Sequence, residues 1–210
     1  MTKTTLLLKV LLIALASAFL VACDDDDDDP KPTQNDTLSL YTKDYTIWHY
    51  FSFENGVIGT GSADPTGADD AAWKARVDWD LAFHYKDVRT NSGKSGDGQG
   101  GMIEATKTEF SLVTEAPTTG YLVDDDLDIR LTAAMPPAYV TSTANAVCDD
   151  WASYNHDEHA WVFVEKVFIV KTAGGKYAKI WLKSFLDNED ASGTITMDYA
   201  YQADGSTNLE

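Results

Sequence analysis

Residues 161–171 read WVFVEKVFIVK, residues 176–185 read KYAKIWLKSF, and Ala173-Gly174-Gly175 stands between them. Two β-branched and aromatic runs around a short glycine turn predict an antiparallel hairpin, because glycine reaches the positive φ that tight turns demand. Residues 193–201 (GTITMDYAY) alternate apolar and polar side chains and predict a third antiparallel strand. Upstream, residues 129–133 make a short strand candidate, stopped by Met135-Pro136-Pro137 because two prolines remove ladder donors. Residues 92–101 form a glycine-dense loop, Trp79-Asp80-Leu81-Ala82-Phe83 reads as a buried strand, and residues 73–77 make one short helical turn. Residues 56–67 are turn-rich, residues 47–53 (IWHYFSF) divide by period 2 into two faces, and residues 37–41 alternate. The fold class is therefore all-β: mainly antiparallel sheets in one domain over residues 37–210, with little helix beyond the leader and no internal repeat.

The amino-terminal end is of a different kind. Lys3 and Lys9 precede a mostly apolar run at 10–21, and Leu20-Val21-Ala22-Cys23 resembles a lipobox. Residues 1–22 thus look like a lipoprotein signal peptide, with Cys23 as the lipidated residue; an ordinary secretory signal or a single anchor helix are the alternatives. Three acyl chains on one cysteine exceed the two signals that stable membrane attachment needs. Asp24 to Asp29 is an unbroken acidic run that repels itself, so residues 23–36, with Pro30 and Pro32, read as a solvated tether. The chain carries 16 basic and 34 acidic residues; without Lys3 and Lys9 the net charge moves from −18 to −20, that is 14 against 34. Such a surface has no electrostatic footprint for nucleic acid and repels anionic lipid, which leaves membrane attachment to the acyl anchor. Cys148 is the one other cysteine. Asp149 and Asp150 beside it disfavour a thiolate, so it reads as a small packing residue.

Several motifs fail on context. Residues 96–101 contain a formal G-x-G-x-x-G, but neither a helix nor a βαβ unit surrounds it. Gly93-Lys94-Ser95 imitates the end of a phosphate loop, yet Val88 stands where its first glycine belongs. The acidic clusters at 124–128 and 187–190 lack the ligand order of a calcium loop and read as solvated loop charge. No nucleophile elbow or His-Glu-x-x-His is present.

Four histidines remain. His49, mid-strand, and His84, at the end of the WDLAF strand, read as structural. His156 and His159 lie in Tyr154-Asn155-His156-Asp157-Glu158-His159-Ala160-Trp161, a polar loop entering an apolar strand. Imidazole suits iron, copper or zinc, and a neighbouring carboxylate can fix its tautomer; a solvated histidine pair is the alternative. Met135, displayed by its Pro-Pro turn, supplies a thioether, and histidine with methionine is a recognised axial pair for haem iron; core filler is its alternative.

These residues resemble the HmuY-like haemophores of bacterial envelopes, over most of the mature domain. Trp48-His49-Tyr50-Phe51-Ser52-Phe53 looks like the family's W-x-Y-F-S-F strand. Trp79-Asp80-Leu81-Ala82-Phe83-His84, Asp87-Val88-Arg89-Thr90-Asn91 and Ser95-Gly96-x-Gly98-x-Gly100-Gly101 follow its most specific signature. Thr119-Gly120-Tyr121 and the closing hairpin match as well. The resemblance implies an all-β, non-enzymatic envelope lipoprotein that captures haem through two axial side chains on loops, for iron acquisition, and hands it to an outer-membrane haem receptor. Trp151 and His156 occupy the spacing of the family's Trp and second ligand. The first-ligand loop, between Ile129 and Val147, holds no histidine but holds Met135. The implied haem pair is therefore His156 and Met135, with His159 the runner-up and no metal besides the haem iron. A thioether favours ferrous haem, so reduction should tighten binding. Two alternatives stand beside this reading: a binding module of the same fold for another ligand or a protein partner, and a metal-dependent envelope enzyme using His156 and His159. The acidic stretch after Cys23 resembles a surface-export signal of Bacteroidetes-like bacteria, whereas Asp24 resembles the inner-membrane retention signal of enterobacteria. The family's role implies the outer membrane, with exposure at the cell surface.

Overall fold

The computed structural model describes residues 33–210. The leader 1–22, Cys23 and the tether up to residue 32 lie outside the described residues. In chain order the elements are β1 (Gln34–Tyr41), β2 (Ile47–Ser52), β3 (Gly56–Ser62), α1 (Asp70–Lys74), β4 (Leu81–His84), β5 (Asp87–Thr90), β6 (Gly101–Glu104), β7 (Asp125–Arg130), β8 (Tyr139–Ala144), β9 (Ala152–Asn155), β10 (Ala160–Phe163), β11 (Phe168–Lys171), β12 (Tyr177–Leu186) and β13 (Ser192–Gln202). Short 3₁₀ turns stand at Phe110–Leu112 and Ala146–Cys148. One sheet runs β1-β13-β12-β11-β6 and a second β3-β2-β4-β5, while β7-β8 and β9-β10 are separate two-stranded ribbons. Every pairing is antiparallel, as expected of an all-β chain.

The main core lies between the two larger sheets. Phe51, Leu81, Phe83, Phe168, Val170, Ile180, Leu182, Ile195 and Met197 pack there, each at most 1% exposed. Complete burial of each such side chain contributes about 1.5–3 kcal/mol. Period 2 sends Trp48 and Tyr50 to the opposite face of β2, where Trp73, Trp79, Ala82, Ile129 and Ala144 form a second core. Cys148 is buried against the main core, its S–H donating to the Asn145 carbonyl at 3.6 Å. Burial first, then Asp124 and Asp149, pushes its thiol pKa up, which suits a packing residue.

Several boundaries differ from those read in the sequence, the helical turn among them, which runs Asp70–Lys74 and not 73–77. β1 starts at Gln34, inside the stretch assigned to the tether, because residues 34–36 pair backbone to backbone with residues 199–201 of β13 and need no apolar side chains to do so. Residues 161–171 are two strands in different sheets; between them Val164 N–H donates to Trp151 O, and Lys166 reaches Glu104 and Asp150. Residues 56–62 form a strand because the Trp73 indole lies on them: a Cβ at Gly61 would sit 2.5 Å from Trp73 Cδ1. Asp125 to Asp128 belong to β7, pairing with residues 141–144, and are not loop charge.

The stretch from Trp79 to Gly101 acts as a keystone. Asp80 accepts from Phe53 N–H (2.9 Å) and Ala173 N–H (3.1 Å), so one carboxylate joins turns of both larger sheets. Asn91 donates to the carbonyls of Arg76 and Trp79, both at 2.9 Å, and accepts from Gly98 N–H at 3.0 Å. The glycine-rich loop wraps this amide: a Cβ at Gly96 would run into Asn91 Oδ1, and one at Gly98 would lie 2.9 Å from Asn91 Cγ. Its glycines serve close approach to a side chain, not to a phosphate.

Asp124 is 2% exposed and accepts from Thr90 N–H (2.9 Å), Thr90 O–H (2.5 Å) and Asn145 Nδ2 (2.9 Å). Burial outweighs these donors and pushes its pKa up from 3.8 to about 6. The folded protein then holds a proton that the unfolded chain has released in this window. The Asp124 contribution to stability is therefore largest below about pH 4 and is lost as pH rises through about 6. Urea titrations of wild type and Asp124→Asn from pH 3.5 to 7 should show the wild-type advantage shrinking with pH; growth instead would mean that the three donors prevail.

Candidate functional site

Two hairpins project from this frame, each with a buried root and an exposed tip. In the first, β7 and β8 pair from Asp125↔Ala144 to Arg130↔Tyr139, and Leu131 N–H donates to Ala138 O at 2.9 Å to close the connection. Its root is held by Arg89 of β5, which is 1% exposed. The guanidinium donates through Nε to Thr143 O (2.8 Å), through Nη2 to Ser142 Oγ (3.0 Å) and through Nη1 to Asp70 (3.2 Å). It also stacks on the Trp48 ring at 4.1 Å. At the tip, Met135 is 82% exposed, which excludes core filler; Met102 and Met197, by contrast, are fully buried.

The second hairpin pairs β9 with β10 from Ala152↔Phe163 to Asn155↔Ala160. Trp151 is its root: 0% exposed, Nε1–H donating to Lys86 O at 2.8 Å, with Val164 N–H returning to Trp151 O at 2.9 Å. Asn155 Oδ1 accepts from Asp157 and Glu158 N–H and folds the tip, where His159 takes φ 53°. His156 and His159 are both exposed there, and the His156 ring stands edge-on to Tyr154 at 5.1 Å.

Aromatic rings connect the hairpins. Tyr154 meets Trp161 at 5.7 Å, Trp161 meets Tyr85 at 6.1 Å, and Tyr85 meets Tyr45 at 4.8 Å, with Phe185 beneath Tyr85 (4.7 Å) and Trp161 (4.9 Å). Arg130, the last residue of β7, lies over Tyr45 at 5.1 Å and Tyr85 at 5.9 Å. Tyr85 sits at φ 52° in the β4–β5 turn, a conformation that costs about 1 kcal/mol or more outside glycine. Thr42 clamps it there: Tyr85 N–H donates to Thr42 O (3.0 Å) and Thr42 Oγ1 to Tyr85 O (2.7 Å). Burial pushes the Tyr85 phenol pKa up, so the ring remains neutral.

The sequence-derived candidates thus fall on two hairpin tips, and a track of rings runs from Tyr154 to Arg130 between the hairpins. Met135 sits on one tip and His156 and His159 on the other. His84 is structural, as read: its Nε2 donates to Tyr45 O at 3.0 Å. His49 lies half-buried in β2, where burial pushes its pKa down. Among the described residues no three His, Cys, Asp or Glu side chains gather as a metal site. A cleft of about 610 Å³, lined by Ile103 to Thr106, Glu115 to Thr119 and Ile169, shares no residue with the track. Tyr45, Tyr85 and Arg130 were not indicated by the sequence, because spacings of 40 to 85 residues hide what the sheets bring together.

The donor set fits an iron porphyrin in kind: an exposed thioether and exposed imidazoles on separate tips, with half-buried aromatic rings and a cation along the track. The fold is shared with solved structures. An HmuY analogue from Tannerella forsythia, in its apo form, is 25% identical, with 83% of this chain and 99% of that one covered and a TM-score of 0.64. A candidate lipoprotein from Bacteroides fragilis is 22% identical, covers 80% and 89%, and has a TM-score of 0.65. A candidate HmuY-like haem-binding protein from Bacteroides vulgatus is 23% identical, covers 82% and 97%, and has a TM-score of 0.62. No curated protein matches the sequence. The family model for HmuY protein matches residues 44–199, the larger part of the chain, and with the fold it establishes that the chain belongs to the HmuY family.

Proposed function

We propose that this protein is a haem-binding envelope lipoprotein that captures haem for iron acquisition, with Met135 and His156 as axial ligands and His159 as the runner-up. Bound haem would supply the iron, and Met135 Sδ from one tip with an imidazole nitrogen from the other would hold it. The observation that carries this reading is the exposure of Met135, an apolar side chain held 82% in solvent at the tip facing away from the core. Such placement has a cost in hydration and no return in packing. The ring track, membership of the HmuY family and the haem-binding description of the Bacteroides vulgatus relative support it. Cys23 would carry the lipid that holds the protein at the outer membrane, exposed at the surface, where a haem receptor would be its partner. Catalysis has no part in this function.

The test is an absorbance titration of the purified protein with haemin, oxidised and reduced, beside Met135→Ala and His156→Ala. A saturable low-spin spectrum at one haem per chain is expected, tighter in dithionite, and lost or converted to high-spin in each variant. Equal or weaker binding in dithionite would remove Met135 from the pair. A spectrum matching free haemin in both redox states would overturn the reading.

A further inference from the structure

We infer that Arg130 is the carboxylate-recognising residue of this site, taking a propionate of the tetrapyrrole and so setting which edge of the ligand enters between the hairpins. The inference rests on the haem reading for its ligand, but its test needs no iron.

Of the chain's three arginines, Arg76 is paired with Asp78 at 2.7 Å and Arg89 with Asp70 at 3.2 Å. Among the described residues no carboxylate lies within ion-pair distance of Arg130. In a chain of net charge −18, an unpaired guanidinium at a ring-lined site is a specific placement. Its fork is already oriented. Nε–H donates to Thr132 O at 2.6 Å, and the cation rests on the faces of Tyr45 and Tyr85. Nη1 and Nη2 have no protein acceptor among the described residues. A planar donor edge of this kind matches a carboxylate in two parallel hydrogen bonds. The acidic surface repels any anionic ligand, so a local cation is needed where the ligand's own charge arrives. Haem meets that description, because its two propionates carry its negative charge and its ring is apolar.

The experiment compares metal-free protoporphyrin IX with its dimethyl ester, read by porphyrin fluorescence, in wild type, Arg130→Gln and Arg130→Lys, with circular dichroism to establish that each variant is folded. Iron coordination plays no part in either probe. Wild type should prefer the free acid over the ester. Arg130→Gln should weaken the free acid about tenfold, the scale of one charge-assisted contact, and leave the ester unchanged. Arg130→Lys should fall between, since it keeps the charge and loses the fork. Equal affinity of wild type for acid and ester, or equal weakening of both by Arg130→Gln, would overturn the assignment. Failure of haemin to give a low-spin spectrum, with discrimination between acid and ester retained, would remove the axial pair and leave Arg130 in place. Absence of binding by haemin and protoporphyrin IX alike would remove both.

Discussion

Arg89→Met is expected to lower the unfolding free energy by about 3–5 kcal/mol, the range found when one partner of a buried ion pair is removed. Methionine can follow the arginine stem over Trp48, but it leaves Thr143 O and Ser142 Oγ without their donor and Asp70 with Lys74 as its remaining cation. Each of those losses is suffered away from water, where an unmet hydrogen bond costs about 1–3 kcal/mol. At about 2–4 °C per kcal/mol for a chain of this size, calorimetry should show Tm falling by roughly 10 °C. Adding Asp70→Asn should recover part of the loss, because it removes a buried carboxylate that the first change leaves with Lys74 alone. A double variant no more stable than Arg89→Met would place the loss elsewhere. The effect extends to the site, since Arg89 binds β8 to the frame and β8 leads back to Met135.

Trp151→Ala is the matching experiment at the other hairpin, with an expected cost of about 3–5 kcal/mol. The indole is fully buried, stacked on Phe163 at 6.0 Å and edge-on to Phe185 at 6.4 Å. Its removal leaves a cavity beneath β9 and β10 and an unpaired Lys86 carbonyl. Trp151→Phe should keep most of the packing and lose only the N–H, at about 1–2 kcal/mol. Because the ribbon pairs with no other strand, it should open before the rest of the fold. Hydrogen exchange should therefore show protection of residues 152–163 falling ahead of that of β12 and β13 in Trp151→Ala. Uniform loss of protection would mean that Trp151 supports the whole core and not its hairpin.

The parts of the fold legible in the sequence are those where side chains alternate over an apolar core. The β11–β12 turn at residues 172–176 and the two faces of residues 47–53 follow directly from periodicity and glycine placement. β5, by contrast, reads Asp-Val-Arg-Thr yet is wholly buried, because its polar groups are satisfied by Asp70, Asp124 and Thr143, residues far away in the chain. Local pattern carries no sign of such partners. The resemblance located the same stretch by its signature, and the structure shows that Asp80, Arg89 and Asn91 hold sheets and loops together. The site divides in the same way. Met135, His156 and His159 stand out by residue type in polar loops, whereas Tyr45, Tyr85 and Arg130 acquire meaning only when three turns meet.

Root and tip of each hairpin carry opposite energetic weight. A change at Arg89 or Trp151 threatens folding itself, whereas an exposed residue such as Met135 or His156 can be exchanged within about 0.5 kcal/mol. Side-chain chemistry at the tips can therefore change one substitution at a time, thioether to imidazole or the reverse, through intermediates that all fold. A chain built on this frame can change what its tips present without redesigning what holds the frame up.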